Sequence, residues 1–299
     1  MIELVQIPEG PGLDDYAASM HLTDAVTKLR EAARSTAPKL AGRTVWMVNS
    51  TAKGGGVAEM LPRMVGLLNE IGVQTRWAVI GTDRMPFFDL TKRLHNLIHG
   101  AGKPEFSPGD RQLFDEVGAT LASEMKPHLA PNDILVIHDP QPSCMGALLK
   151  RELGLPTVWR CHIGLDQDLP QTRAAWEFLA PYLEAYDHAI YTAPDYIPPV
   201  HADRATIIHP GLDPFTLKNR ELSIPELTSI LYAAALVPSP KESLAESFCA
   251  VAERLQPDGS FQPALTPESF GVLERPIVME VSRWDGLKGW PQKLIENSS

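Results

Sequence analysis

NSTAKGGGVAEML, Asn49 to Leu61, stands between an apolar run and a helical pattern. The run before it, TVWMV (Thr44 to Val48), is β-branched and aromatic, which predicts a buried strand. After it, Val57, Met60, Leu61, Met64, Val65, Leu68 and Ile71 recur at helical spacing, and Gly72 can close that helix. Gly54, Gly55 and Gly56 therefore fall in a strand-to-helix turn. Such a turn aims backbone N–H groups at the helix N-terminus, where an anion is favoured. Glycine also lets a ligand reach the backbone without meeting a Cβ.

Working outward, short apolar strands alternate with helices. A helix is predicted over Thr23–Ser35, strands over Thr44–Val48 and Gln74–Ile80, and a long loop from Gly81 to Asp110 with a short helix at Leu90–Ile98. A helix over Arg111–Met125 leads to strand Ile134–His138. Helix Ser143–Leu153, strand Pro156–Arg160, helix Arg173–Ala185 and strands His188–Thr192 and Ala205–Pro210 follow. Residues 1–21 read as irregular. The alternation predicts an α/β fold, a doubly wound parallel sheet of Rossmann-like type covered on both faces. Ligands in such sheets sit at the carboxyl ends of the strands. Beyond Asn219 the pattern becomes two helices, ELSIPELTSILYAAALV and PKESLAESFCAVAERL, then a proline-punctuated loop and a last strand, Ile277–Ser282.

The 299 residues are 44% hydrophobic and 21% charged, with a net charge of −10. Those values suit a globular chain. An acidic chain without a dense Lys/Arg run argues against nucleic acid or an anionic membrane as main partner. No apolar run reaches the ~18 residues of a membrane span. The acidic N-terminus has no signal-peptide pattern. The 3 cysteines, Cys144, Cys161 and Cys249, lack metal-ligand spacing and read as reduced, mostly buried thiols of a cytoplasmic protein.

The motifs NSTAKGGGVAEML, RWAVIG with FFDLTKRLHNLIHG, IHDPQP, WRCHIGLD, HPGLDPFTLKN and VSRWDGLKG follow in this order. Together they resemble glycosyl-transferring trehalose synthases and trehalose phosphorylases, which are retaining GT-B glycosyltransferases of family 4. The resemblance runs from Leu13 to Lys293. It implies an N-terminal Rossmann-like, acceptor-side domain over 1–219. A helical linker or extension over 220–275 and the start of a nucleotide-sugar-binding domain over 276–299 would follow. The Glu221–Leu273 segment is longer than the link such proteins use. The chain also stops as the second domain begins, short of the acidic pair that grips donor sugar and ribose. By itself the chain is therefore expected to transfer glucose poorly or not at all.

The glycine turn admits three readings: a plain tight turn, a dinucleotide fingerprint, or a phosphate and sugar cradle. The fingerprint wants Gly or Ala three positions after Gly56, where Glu59 stands. The resemblance favours the cradle, with Gly54, Gly55 and Gly56 binding substrate. It also implies that Arg283 and Lys288 stabilise charge on the departing phosphates, a role fixed cations perform without proton transfer. The plain alternative is two solvated cations. His162 stands directly after strand VWR, and the resemblance gives it a catalytic contact with the donor sugar near the reacting carbon. A structural hydrogen-bonder is the alternative.

His138, Asp139 and Gln141 lie at the end of the preceding strand, ILVIH, and offer groups suited to sugar hydroxyls. Arg160 either reaches the site or pairs with Asp166. Phe88, Lys92, His95 and Asn96 are expected to shape the acceptor pocket, while Leu90, Leu94, Leu97 and Ile98 pack inward. His209, Asp213 and Asn219 match the family in a structural role. No metal and no cofactor are expected. The implied substrates are a nucleotide-sugar, UDP- or ADP-glucose, and a sugar acceptor such as glucose. Two rivals stand beside this reading. One is phosphorolysis with glucose 1-phosphate. The other is a non-catalytic, truncated sugar-binding module, whose last strand could pair across a homodimer.

Overall fold

The computed structural model describes residues 1–19, 21–216, 219–237 and 252–264. It divides into two compact units, Met1–Pro214 and Phe215–Ser299. Arg283, Lys288 and the expected strand Ile277–Ser282 lie outside the described residues.

In the first unit the strands are β1 (Ile2–Val5), β2 (Val45–Asn49), β3 (Thr75–Ile80), β4 (Ile134–His138), β5 (Thr157–Cys161), β6 (His188–Tyr191) and β7 (Ala205–Ile207). Its helices are α1 (Leu13–Ser19), α2 (Thr23–Thr36), α3 (Gly56–Glu70), α4 (Met85–Ile98), α5 (Pro108–Met125), α6 (Ser143–Leu153) and α7 (Pro170–Leu183). The seven strands form one sheet in the order β1-β3-β2-β4-β5-β6-β7. Every pairing is parallel except that of β1, which runs antiparallel to β3 along the edge.

Side chains on successive strand residues point to opposite faces. On β2 and β3, Val45, Met47, Trp77 and Val79 meet Leu61 and Val65 of α3. Their neighbours Trp46, Val48, Ala78 and Ile80 face the other way. There they join Leu135, Ile137, Trp159 and the apolar stripes of α4, α5, α6 and α7. This division follows from right-handed crossovers. The β2-α3-β3 unit moves one way along the sheet and the units from β3 onward move the other way, so their helices lie on opposite faces. Leu61 and Val65 are fully buried, and truncating Leu61 to Ala removes about 2–5 kcal/mol. The chain order reverses between β2 and β4, where α/β sheets open a crevice at their carboxyl edge.

Three expectations change. Residues 1–21 are not irregular throughout, since Ile2–Val5 pairs with β3 and Leu13–Ser19 is helical. The expected loop Gly81–Asp110 is shortened because α4 begins at Met85, with Pro86 at its first turn, the position proline tolerates. In the second unit, α8 (Ile224–Ala233) carries a Ser223–Glu226 capping box. There Glu253–Leu255, expected as helix, instead forms β8 of a small antiparallel hairpin with β9 (Phe261–Pro263). The turn PDGS between them supplies Gly259 at φ 83. That local turn chemistry overrides the helical spacing before it.

Candidate functional site

The loops that follow β2, β4 and β5 leave adjacent strands on the same edge of the sheet. Val48 is opposite Ile137, and His138 is opposite Arg160. The first loop carries the glycines. Gly54 and Gly55 have φ of 76° and 87°, conformations that other residues rarely adopt. Apart from the adjoining residues and the backbone of α3 itself, no heavy atom lies within 4 Å of the Cβ that each of Gly54, Gly55 and Gly56 lacks. The bend is therefore open on its outer side. Gly55 precedes the first turn of α3 and provides no side-chain cap, so that turn's N–H groups are left for solvent or a ligand. Behind the bend, Asn49 is buried and receives the indole N–H of Trp77 at 2.8 Å, while its amide donates to Thr51 O at 2.7 Å.

The second and third loops are tied together by Asp139. Its φ is 61°, a left-handed conformation that Asp tolerates better than most residues. Its N–H donates to Arg160 O at 2.9 Å, and its carbonyl accepts the Trp159 indole at 3.1 Å. Oδ1 accepts the His162 N–H at 2.8 Å. Burial raises the Asp139 carboxyl to about 6, against the pull of that hydrogen bond and of Arg160. His138 Nδ1 and His162 Nε2 are 2.9 Å apart, with rings 5.2 Å between centroids and 8° from parallel. Burial holds both imidazoles below the ordinary histidine range, His138 well below and His162 at about 3, with the Arg160 charge acting in the same direction. Both rings are neutral near pH 7.

Several candidates take places the sequence did not anticipate. His138 is only 1% exposed, and its Nε2 is enclosed without a partner, so it faces His162 rather than an open site. Arg160 is also buried. Its guanidinium donates to Tyr191 O at 3.0 Å and Ile208 O at 2.6 Å rather than pairing with Asp166. It thereby ties together the ends of β6 and β7. Gln141 is half-buried, with an enclosed, unpartnered Oε1.

On α4 the inward residues Leu90, Leu94, Leu97 and Ile98 are buried as their spacing requires. Phe88 is half-buried, edge-on to Phe87, and Lys92 is exposed. His95 and Asn96 are half-buried, and the His95 ring lies 4.5 Å from that of His99. The end of α4 approaches the third loop closely. A Cβ at Gly100 would stand 2.8 Å from Leu165 and 2.9 Å from Leu169.

Other contacts have partners with no legible signal in the chain, although Asp213 was expected in a structural role. Asp213 accepts the Tyr16 hydroxyl at 2.8 Å and pairs with Arg63 Nε at 3.2 Å, fastening α1 and α3 to the segment after β7. Gly164 lies so close to Tyr196 that a Cβ would fall 2.1 Å from its ring. A cavity of about 350 Å³ between residues 8–12 and α3 is lined by Arg63 and Glu70, which already serve Asp213 and the Leu13 N–H. Among the described residues, no cluster of three or more metal-ligating side chains occurs, and no helix is long and apolar enough to cross a membrane.

Residues 47–198 match the family model described as "Trehalose synthase, N-terminal domain". The chain is similar to a trehalose synthase of Pyrococcus horikoshii, with 32% identity over 278 residues covering 93% of this chain and 55% of that protein. A trehalose phosphorylase of Pleurotus sajor-caju is 30% identical over 162 residues, 51% of this chain and 20% of that protein. A solved α,α-trehalose 6-phosphate synthase of Burkholderia multivorans aligns with a TM-score of 0.40 and 19% identity, covering 52% of this chain and 41% of that one. The chain spans about half the length of the curated trehalose synthases it matches.

Proposed function

The chain belongs to the trehalose synthase N-terminal domain family, and from that premise we propose that its first unit is the acceptor-side half of a retaining glucosyltransferase. In this reading a glucosyl unit passes from a nucleotide-sugar, UDP- or ADP-glucose, to a sugar acceptor such as glucose, giving a trehalose-type disaccharide. The observation that carries it is the convergence of the open glycine bend, Asp139 and His162 on three adjacent strand ends at the point where the strand order reverses. That is where this topology binds ligands.

The division of labour follows from the chemistry of each group. Bare amides at Gly54–Gly56 and the start of α3 favour phosphate oxygens. Asp139 and Gln141 offer acceptors, and Gln141 a donor, for sugar hydroxyls. His162 contacts the donor sugar near the reacting carbon. Phe88, Lys92, His95 and Asn96 shape the acceptor side. The resemblance assigns the charge of the departing phosphates to Arg283 and Lys288, which lie outside the described residues. In a retaining transfer of this kind the C1–O bond to phosphate breaks while the acceptor oxygen bonds C1 on the same face. The departing phosphate oxygen then receives the acceptor's proton. The protein positions groups and stabilises charge. Asp139, engaged by the His162 N–H, is not set as one of the two free carboxylates that a glycoside hydrolase needs.

Calorimetric titration of the chain with glucose and with trehalose tests this reading. Saturable binding that Gly55→Val weakens supports it. A folded chain that binds neither sugar overturns it. The likeness to the Pleurotus sajor-caju phosphorylase favours a second reading, transfer to and from inorganic phosphate through the same bend. Separate titrations with inorganic phosphate and with UDP distinguish the two: binding of UDP supports transfer from a nucleotide-sugar, and binding of phosphate without UDP supports phosphorolysis.

A further inference from the structure

We propose that His138 is a positioning residue that fixes His162 in one tautomer, with its proton on Nδ1, so that His162 presents an N–H donor to the sugar site. The inference rests on the reading of His162 given above, and deepens it. The argument begins with proton counting. Two imidazole nitrogens 2.9 Å apart share one hydrogen, carried by His138 Nδ1 or by His162 Nε2. If His162 Nε2 carried it, a neutral His138 would hold its own hydrogen on Nε2. That atom is enclosed and has no partner, so the arrangement would bury an unsatisfied N–H. Orphaned buried N–H groups are rarer in proteins than orphaned acceptors.

The opposite arrangement leaves only a bare lone pair at His138 Nε2. His138 Nδ1–H then donates, His162 Nε2 accepts, and the remaining hydrogen of His162 sits on Nδ1. That nitrogen makes no hydrogen bond with the described residues. The near-parallel rings and the Asp139 bond to the His162 main-chain N–H hold the second imidazole in place. A sugar oxygen or a phosphate oxygen is an acceptor, and a fixed N–H donor meets either without reorganising. Protonation, which would erase the distinction between tautomers, is opposed by burial and by Arg160. His138 thus acts through His162 and does not touch substrate.

Long-range ¹H–¹⁵N correlation spectra of the ligand-free chain test the proposal directly. His162 is assigned among the nine histidines by loss of its signals in His162→Asn. A pyrrole-type Nδ1 and pyridine-type Nε2 at His162 are expected. The reverse pattern in the wild-type chain overturns the proposal, and it does so whether or not any sugar binds. Two variants sharpen the reading. His138→Asn places an amide N–H near the position of Nδ1 and should keep the His162 pattern. His138→Leu removes the donor and should give a mixture of tautomers. With UDP-glucose as probe, His138→Asn should bind like wild type and His138→Leu about two- to fivefold more weakly, because only the fraction of His162 in the donor tautomer is competent. If His138→Leu leaves the His162 pattern unchanged, His138 does not set the tautomer. Failure of UDP-glucose to bind the wild-type chain bears on the proposed function, and the spectra still decide the tautomer.

Discussion

The imidazole of His138 lies 2.9 Å from that of His162, the two rings 8° from parallel, and neither can accept a proton cheaply. Their folded values lie below the ordinary histidine value of 6.5, that of His162 at about 3. A depressed histidine contributes stability that is intact above its unfolded value and is lost as pH falls below it. Thermal melting between pH 7.5 and 5 should therefore show a progressive loss starting near 6.5. His138→Asn removes one of the two titrating groups and should make that loss shallower. An identical acid limb in the variant would count against a neutral buried pair.

Asp139 works in the opposite sense. Its folded value, about 6, is above the 3.8 of an unperturbed aspartate, so its charged form is penalised in the fold. Its contribution to stability falls as pH rises from about 4 to 6 and is constant above. Asp139→Asn keeps an acceptor for the His162 N–H and suits the left-handed backbone at φ 61°. The variant should be more stable than wild type at pH 7.5, by about 1–2 kcal/mol once solvent screening of a half-buried group is allowed for. The gain should vanish near pH 4.5. Urea unfolding at both pH values measures it, and equal destabilisation at the two would refute the assignment.

The glycine bend separates backbone strain from crowding. Gly55 has φ 87° and ψ 158°, with open space where a side chain would go. Gly55→Ala meets no atom, so its cost is purely conformational, about 1–3 kcal/mol. Gly56 begins α3 in the same open space but has no positive φ. Gly56→Ala should be neutral or slightly stabilising in denaturant melts. Its added methyl should still weaken binding of glucose or phosphate if the amides of this bend form the cradle.

What the sequence revealed follows from which signals are local. The β2 strand and the α3 helix were legible around Gly54–Gly56 because a continuous β-branched and aromatic run gives way to a period of 3.6 across one glycine turn. The candidate site was legible only as positions at strand ends. His162 and Asp139 could be placed there by counting from apolar runs. Nothing local indicates that His138 turns inward, or that Arg160 spends its donors on Tyr191 O and Ile208 O. Those fates depend on partners 24 residues or more away. The edge strand β1 was missed for a similar reason. Four residues, two of them exposed, carry too little alternation to distinguish them from a loop.

Gly164 offers the most direct test of the third loop. It needs no special backbone conformation, and its demand is for space. A Cβ there would lie 2.1 Å from Tyr196 Cγ and 2.6 Å from Cβ, so the ring and its backbone anchor would have to move. Tyr196 sits in the turn after β6, held by its N–H to Ala193 O at 3.2 Å. Relief would push the His162–Asp166 loop away from β6, loosening the Asp139–His162 bond and the Thr192 hydroxyl contact with His162 O. Gly164→Ala should cost about 1–3 kcal/mol in urea unfolding, the scale of overpacking. The double variant Gly164→Ala with Tyr196→Ala should recover part of that loss, because the second change removes the ring the new methyl strikes. If the two costs add without recovery, the close approach of Gly164 to Tyr196 does not determine the position of this loop.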